Sequence, residues 1–352
     1  MIQLYPFTFQ PVYQERLWGG TGLRKYRPDV PGDRIGESWE ISAHEHGASL
    51  VANGPLRGES LDRLVAQFPE ELLGSQEAQF PLLLKLISSR DTLSVQVHPQ
   101  DHYAQIHEEG SLGKHELWYV LDAEPGAWIV YGLKPEVTSF EFRQAIAGGR
   151  VPETLRKVSV KPGDVFDIPP GLVHALGPGV TLAEIQQSSD VTYRVYDWDR
   201  VDANGKPREL HIEKALDVID FGLRPKLDSP GLGYGLPGGR VQIRGANPYF
   251  AVEELTCEGQ ISWTEPVRRF VLYFLLEGNL ELMWSAGQLP VDRGATILVP
   301  AAVNEYTFGG KGKLLRFYVP DLKQDVLSPL QAEGFNREEI LSAIAGLDAS
   351  ML

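Results

Sequence analysis

The stretch that decides the fold is Gly163-Asp-Val-Phe-Asp-Ile-Pro169-Pro-Gly171-Leu-Val-His174. A glycine opens a short apolar run, a proline closes it six residues on, and a histidine follows the Pro-Pro-Gly turn. Glycine and proline punctuate strands at their ends. The segment therefore predicts a short strand, a tight turn and a histidine held at the start of the next strand. A fainter copy lies at Gly294-Ala-Thr-Ile-Leu-Val-Pro300-Ala-Ala-Val-Asn304. It keeps the glycine and the proline, has Ala302 where the first has Gly171, and offers Asn304 but no histidine. Two copies of one β unit, of which the second has kept its shape and lost its ligands, is the simplest reading.

Outward from these segments the chain repeats the same texture. Short runs rich in Val, Ile, Leu, Tyr and Phe recur at Pro81–Ile87, Leu93–His98, Glu116–Leu121, Trp128–Tyr131, Asp164–Ile168, Thr181–Gln186 and Tyr193–Trp198. Glycine (36) and proline (25) make up about 17% of 352 residues, as a turn-dense antiparallel β protein requires. Helical patterns are few. Leu61–Leu73 has helical spacing after a possible cap at Ser60. Thr138 with Glu141, and Asn336 with Glu339, read as capping boxes, the first helix stopping at Gly148-Gly149. Asp101–Glu109 reads as one more short helix. Pro225–Arg240 carries three prolines and five glycines and reads as a linker or long surface loop. The expected division is 1–224 as the larger domain, 225–240 as linker, and 241–352 as a smaller β domain ending in a helix.

Composition closes off several classes. Lys+Arg 33 against Asp+Glu 47 gives a formal charge of −14. Such a chain has no long-range attraction for nucleic acid or an anionic membrane, and an anionic substrate would need local cations. The longest apolar run, Phe270–Leu276, is far too short to span a bilayer. The first twenty residues lack a basic segment followed by an apolar one, so no export signal is expected in them. One cysteine, Cys257, excludes an intrachain disulfide and fits a reducing, cytoplasmic setting.

In Leu93-Ser-Val-Gln-Val-His98, Ser94, Gln96 and His98 alternate with Leu93, Val95 and Val97. On a strand the three polar residues share one face, with Gln96 and His98 about 7 Å apart at Cα. Polar groups turned into a β interior are costly unless they bind something. Glu116 opens the next strand two residues after Lys114, and His174 follows the Pro-Pro-Gly turn. A lone strand histidine is usually a structural, hydrogen-bonded residue. Gln96, His98, Glu116 and His174 together are two nitrogen and two oxygen donors, a set suited to zinc or another borderline divalent ion.

Gly163-x5-Pro169-x-Gly171-x2-His174 matches the second cupin motif, and His98 with Glu116 resembles ligands of the first. IGESWEIS (35–42), PLLLKLISSRDTLSVQVHP (81–99), GKHELWYVL (113–121), GDVFDIPPGLVHAL (163–176) and EIQQSSDVTYRVYDWDR (184–200) resemble the type I mannose-6-phosphate isomerases of the short bacterial kind. The resemblance runs from Trp18 to Arg200, and the rest of the chain fits the family's two-cupin layout. It implies a mainly β fold of two cupin (jelly-roll-like) barrels with a few short helices. The first barrel would be catalytic, and the second degenerate, without metal ligands. It implies one Zn2+ per chain on Gln96, His98, Glu116 and His174, with Arg194 as the catalytic arginine. Lys85, Ser94 and Lys114 fall on positions that line the family's substrate pocket. His115 departs from the family, where Thr or Pro is usual.

The implied activity is interconversion of mannose 6-phosphate and fructose 6-phosphate through a cis-enediolate. Arg194 would stabilise developing negative charge, and Lys85, Ser94 and Lys114 would receive the phosphate, with Glu184 in the substrate site. Lys114, His115 and Glu184 all stand as candidates for the base. Trp18 and Trp39 read equally as sugar contacts or core. Tyr196 and Trp198 read as barrel packing, and Asp199 with Arg200 as a surface pair. The competing readings are another metal-dependent cupin acting on a sugar phosphate, or a non-catalytic sugar-binding cupin. A dioxygenase cupin would prefer a histidine at position 96. The expected partner is a small sugar phosphate, with no nucleic acid and no membrane, in a monomer or dimer.

Overall fold

Val, Ile, Leu and aromatic residues between Gly and Pro breaks favour extended backbone, and the chain follows that instruction. In the computed structural model, which describes residues 3–201 and 204–352, strands take 40% of the chain and helices 18%. Met1 and Ile2, at the start of the segment read for an export signal, lie outside the described residues. Among the described residues no helix is long and apolar enough to cross a membrane.

Contacts divide the chain into two units, residues 13–38 with 86–227, and residues 1–12 with 39–85 and 228–352. The strands Ile35–Ile41 and Leu82–Ser89 straddle that division in sequence. The first unit is built on two sheets. One has the order Val165–Ile168, Glu116–Ala123, Val180–Gln187, Leu82–Ser89, Ile35–Ile41, Val12–Gly20. The other has the order Tyr193–Tyr196, Val95–Val97, His174–Leu176, Trp128–Leu133, Leu155–Ser159. One apolar cluster joins their facing sides through Trp118, Val120, Phe166, Leu182, Tyr131 and Leu176. A second covers the far side of the five-stranded sheet, packing Val95, Val97, Ala175 and Val195 against helical Phe142, Ala215 and Leu216. Each buried Leu, Val or Phe contributes roughly 1.5–3 kcal/mol, so these clusters and not the short helices hold the unit. The alternation at 93–98 thus has a different meaning from the usual inside–outside pattern. Val95 and Val97 pack under the helices, while Ser94, Gln96 and His98 look into the space between the sheets.

The second unit has a seven-stranded sheet. Leu232–Leu236, Gly239–Ala246, Ala251–Thr264, Glu305–Tyr318, Val271–Trp284 and Gly287–Asp292 follow in order, and Thr296–Val299 also pairs with Val271–Trp284. Its core includes Leu255, Tyr273, Leu282, Phe308 and Leu314. The two glycine-opened segments match in backbone as well as sequence. Gly163 and Gly294 both sit at φ 87°, a left-handed conformation that only glycine takes without strain, and each precedes a four-residue strand.

Three local expectations change. Leu61–Leu73 is two helices, Leu61–Gln67 and Pro69–Leu73, because Pro69 forces Phe68 out of helical backbone (φ −137°), and Ser60 makes no side-chain capping bond. The linker or loop expected at 225–240 contains the strand Leu232–Leu236, paired with Gly239–Ala246. It is an edge strand, where missing N–H donors and bare glycines are tolerated, and Pro225, Pro230 and Pro237 lie outside its ends. The capping boxes at Thr138 and Asn336 form with both reciprocal bonds. The pair read at Asp199 and Arg200 is instead Arg200 with Asp197, which also holds Arg208. Asp199 accepts from the Tyr196 hydroxyl.

Candidate metal centre

Register brings the candidate ligands together. Gln96 lies directly opposite His174 on one side and Arg194 on the other. Residues opposite each other in an antiparallel pair project from the same face, so these three side chains form one polar row. His98 follows at the end of the same short strand, and the Gly171 N–H donates to its carbonyl, which ties the Pro-Pro-Gly turn to it. Glu116 comes from the facing sheet, opposite Ile168 and Gln186.

The hydrogen bonds fix which nitrogen of each ring carries the proton. His98 Nδ1 is 2.8 Å from the Val191 carbonyl, and His174 Nδ1 is 2.9 Å from the Leu172 carbonyl. A carbonyl only accepts, so each Nδ1 donates and each Nε2 is left with a lone pair. Both lone pairs meet the same carboxylate. His98 Nε2 is 3.2 Å from Glu116 Oε1, and His174 Nε2 is 3.8 Å from Glu116 Oε2. All three side chains are buried, at 1% exposure or less. Among the described residues His98 Nε2 has no hydrogen-bond partner. Burial pushes His98 down to about 3, with the nearby Lys114 cation adding to this and Glu116 opposing it. Burial also lowers His174. At neutral pH the rings are therefore neutral, and three acceptors converge within 4.8 Å. That arrangement is repulsive unless a cation sits among them, and the donor set fits a divalent ion.

Gln96 completes the ring, with Nε2 3.3 Å from His174 Nε2. Its amide turned over presents the carbonyl oxygen to the same point. Lys114 Nζ lies 2.8 Å from Glu116 Oε1. Burial by itself would raise Glu116; Lys114 and the two imidazoles overcome it and hold the carboxyl well below its ordinary value. For Lys114 burial works toward neutrality, but Glu116 and Glu184 win and keep it an ammonium.

A residue unforeseen from the sequence links the two acids. The Trp118 indole N–H lies 2.8 Å from Glu184 Oε2 and 3.2 Å from Glu116 Oε2. Its signal was there, since it lies two residues beyond Glu116 and so shares its face. The Val191 and Leu172 carbonyls are backbone groups and leave no trace in residue type. Arg194 donates from Nε to Ser94 Oγ at 3.2 Å and from Nη1 to the Glu209 carbonyl at 2.8 Å. Burial and then Arg208 lower its pKa. His115 turns away from the centre, with Nε2 2.8 Å from Asp167 Oδ1 and its backbone N–H on Gln187 Oε1. Lys85 belongs to the other unit, where it is buried with Nζ 5.1 Å from the centroid of the Trp39 ring. Trp18 packs in an apolar core, and Tyr196 and Trp198 pack against the helix-covered one.

Residues 7–138 match the family described as phosphomannose isomerase type I, catalytic domain, and residues 245–319 match mannose-6-phosphate isomerase, cupin domain. The probable mannose-6-phosphate isomerase GmuF of Bacillus subtilis is 39% identical over 308 residues, covering 87% of this chain and 96% of the relative. The chain belongs to the type I phosphomannose isomerases. The crystal structure of the mannose 6-phosphate isomerase from Bacillus subtilis superposes with a TM-score of 0.83 at 35% identity, covering 89% of this chain and 99% of that one. A zinc-bound mannose 6-phosphate isomerase shares the fold, with a TM-score of 0.73 at 16% identity. The mainly β architecture with a cupin domain is therefore that of the family.

Proposed function

We propose that this phosphomannose isomerase interconverts mannose 6-phosphate and fructose 6-phosphate through a cis-enediolate, with one zinc ion per chain held by Gln96, His98, Glu116 and His174. The observation that carries the metal is the buried meeting of two imidazole lone pairs with one carboxylate. A divalent ion there supplies a Lewis acid that draws electron density from the sugar's C1 and C2 oxygens.

The remaining chemistry falls to the chain's own groups. A proton must leave one carbon and arrive at its neighbour. We assign its carrier to Lys114 or Glu184, which share Glu116 and Trp118 as neighbours; His115 is committed to Asp167. Arg194 has its guanidinium fixed by Ser94 and the Glu209 carbonyl, so its charge needs no rearrangement when the enediolate forms. Ser94, Lys85 and Glu184 are assigned to substrate, with Lys85 and Lys114 supplying the positive charge that a phosphate needs in a chain of net charge −14. A cytoplasmic location and a monomer or dimer complete the reading.

The test is turnover of mannose 6-phosphate by the purified protein in a coupled assay, before and after exhaustive chelation. Loss of activity on chelation and its return with zinc are expected. Full turnover without metal would reject the metal-dependent mechanism, and a metal-loaded protein inert toward mannose 6-phosphate would reject the substrate.

A further inference from the structure

The C-terminal unit puts a second polar cluster at the equivalent place in its own sheet. Three residues after Gly163, Phe166 pairs with Trp118, which pairs with Glu184. Three residues after Gly294, Ile297 pairs with Tyr273, which pairs with Arg316. Arg316 thus stands where the first unit has Glu184, and Val271, opposite Val299, stands where it has Glu116. The second cluster has lost the metal ligands but not its polarity.

Arg316 is 2% exposed and donates to Glu253 Oε2 at 2.8 Å and to Glu265 Oε1 at 2.7 Å. Arg269 pairs with Glu265 at 3.0 Å and with Asp325 at 2.6 Å. Its guanidinium carbon lies 4.3 Å from the Tyr318 ring centroid, and that of Arg316 lies 4.3 Å from both Tyr318 and Trp263. Above these groups lies a cavity of about 330 Å³ lined by Glu253, Trp263, Arg269, Arg316, Tyr318 and Asp325 among others. Its floor is buried and its rim, at Ser262 and Thr264, is exposed. One donor on the floor is unsatisfied. Among the described residues Arg316 Nε is buried with no hydrogen-bond partner.

We propose that this cavity is a second small-molecule site, for a neutral polyhydroxylated ligand of about hexose size. The volume lies at the low end for small-molecule pockets, enough for one such molecule. Two guanidiniums face three carboxylates, so the lining is net negative and a phosphate would enter against that charge. A purely apolar ligand would bury the Arg316 N–H and the carboxylates without partners. Hydroxyl groups satisfy both, accepting from Arg316 Nε and donating to remaining carboxylate lone pairs, while the Trp263 and Tyr318 rings offer surface to C–H groups. This site stands independently of the metal centre.

The probes are mannitol and glucose, followed by saturation-transfer NMR on the metal-loaded full chain. Mannitol has no carbonyl and cannot be isomerised. Saturable binding is expected, about tenfold weaker in both Trp263→Ala and Thr264→Trp. The second variant fills the cavity from an exposed rim position, which keeps the test valid if the first misfolds. Binding should persist in His98→Ala and should not be displaced by inorganic phosphate. Absence of saturable binding to both probes, unchanged binding in Thr264→Trp, loss in His98→Ala, or displacement by phosphate would each overturn the proposal.

Discussion

The two glycine-opened strands begin alike and end in opposite electrostatics. Around Glu116 the carboxylate meets two imidazole lone pairs and a single ammonium, and one buried nitrogen is left without a partner. Around Arg316 the carboxylates of Glu253 and Glu265 are already bonded to guanidinium and phenol groups, with the Tyr318 hydroxyl on Glu253 at 2.6 Å and the Tyr306 hydroxyl on Glu265 at 2.7 Å. One backbone step therefore serves two purposes. Acceptors facing acceptors call for an ion, whereas acceptors matched to donors are complete as a protein structure and call for no ion. The chemistry of each half is decided by whether donors and acceptors balance, not by the strands that carry them.

That contrast can be broken in several ways. His174→Ala removes one of the two lone pairs. It should lower kcat/KM by about a thousandfold or more and leave the protein without its ion, measured by coupled assay and metal analysis. Arg316→Met should spare the ion but leave Glu253 and Glu265 buried without their cation, destabilising the C-terminal unit by about 3–5 kcal/mol in denaturant unfolding. If metal content fell instead, the two clusters would not be separate. Arg194→Ala should cost about 10²–10³ in kcat at unchanged metal content, because it acts on charge that develops during the reaction. Loss of metal there would place it among the ligands. Trp118→Phe keeps the ring and deletes the N–H shared by Glu116 and Glu184. Metal affinity should fall by about tenfold, read by competition with a chromogenic chelator.

The smallest effect is acid sensitivity of the metal-stripped protein. The fold lowers His98 to about 3 and also lowers His174, while the unfolded rings titrate near about 6.5. As pH falls below that ordinary value the unfolded chain takes up protons that the native state refuses. Stability is thus full above it and is lost progressively toward pH 3. The thermal midpoint should drop between pH 7 and 5, and a rise over that window would contradict the assignment.

Much of the first half was legible because its information is local. Period-two alternation at Ser94, Gln96 and His98, the Gly163–His174 spacing and the capping boxes at Thr138 and Asn336 all depend on neighbours a few residues apart. Pro69 was legible too, and the expected single helix failed by overlooking it. The second half hid its cluster because its pairs are distant, with Arg316 63 residues from Glu253 and 51 from Glu265. No spacing rule links them until the sheet register is known. The edge strand at Leu232–Leu236 was masked by glycines whose cost an edge tolerates. The carbonyls that orient His98 and His174 belong to Val191 and Leu172, residues whose side chains say nothing of that role.

The central claim is that His98, Glu116 and His174 converge on one cation. The most direct measurement is anomalous diffraction at the zinc edge from crystals of the active protein. The account predicts a single peak per chain, within bonding distance of both Nε2 atoms and the Glu116 carboxylate. A fully active crystal with no peak there, or with its peak elsewhere, would contradict it.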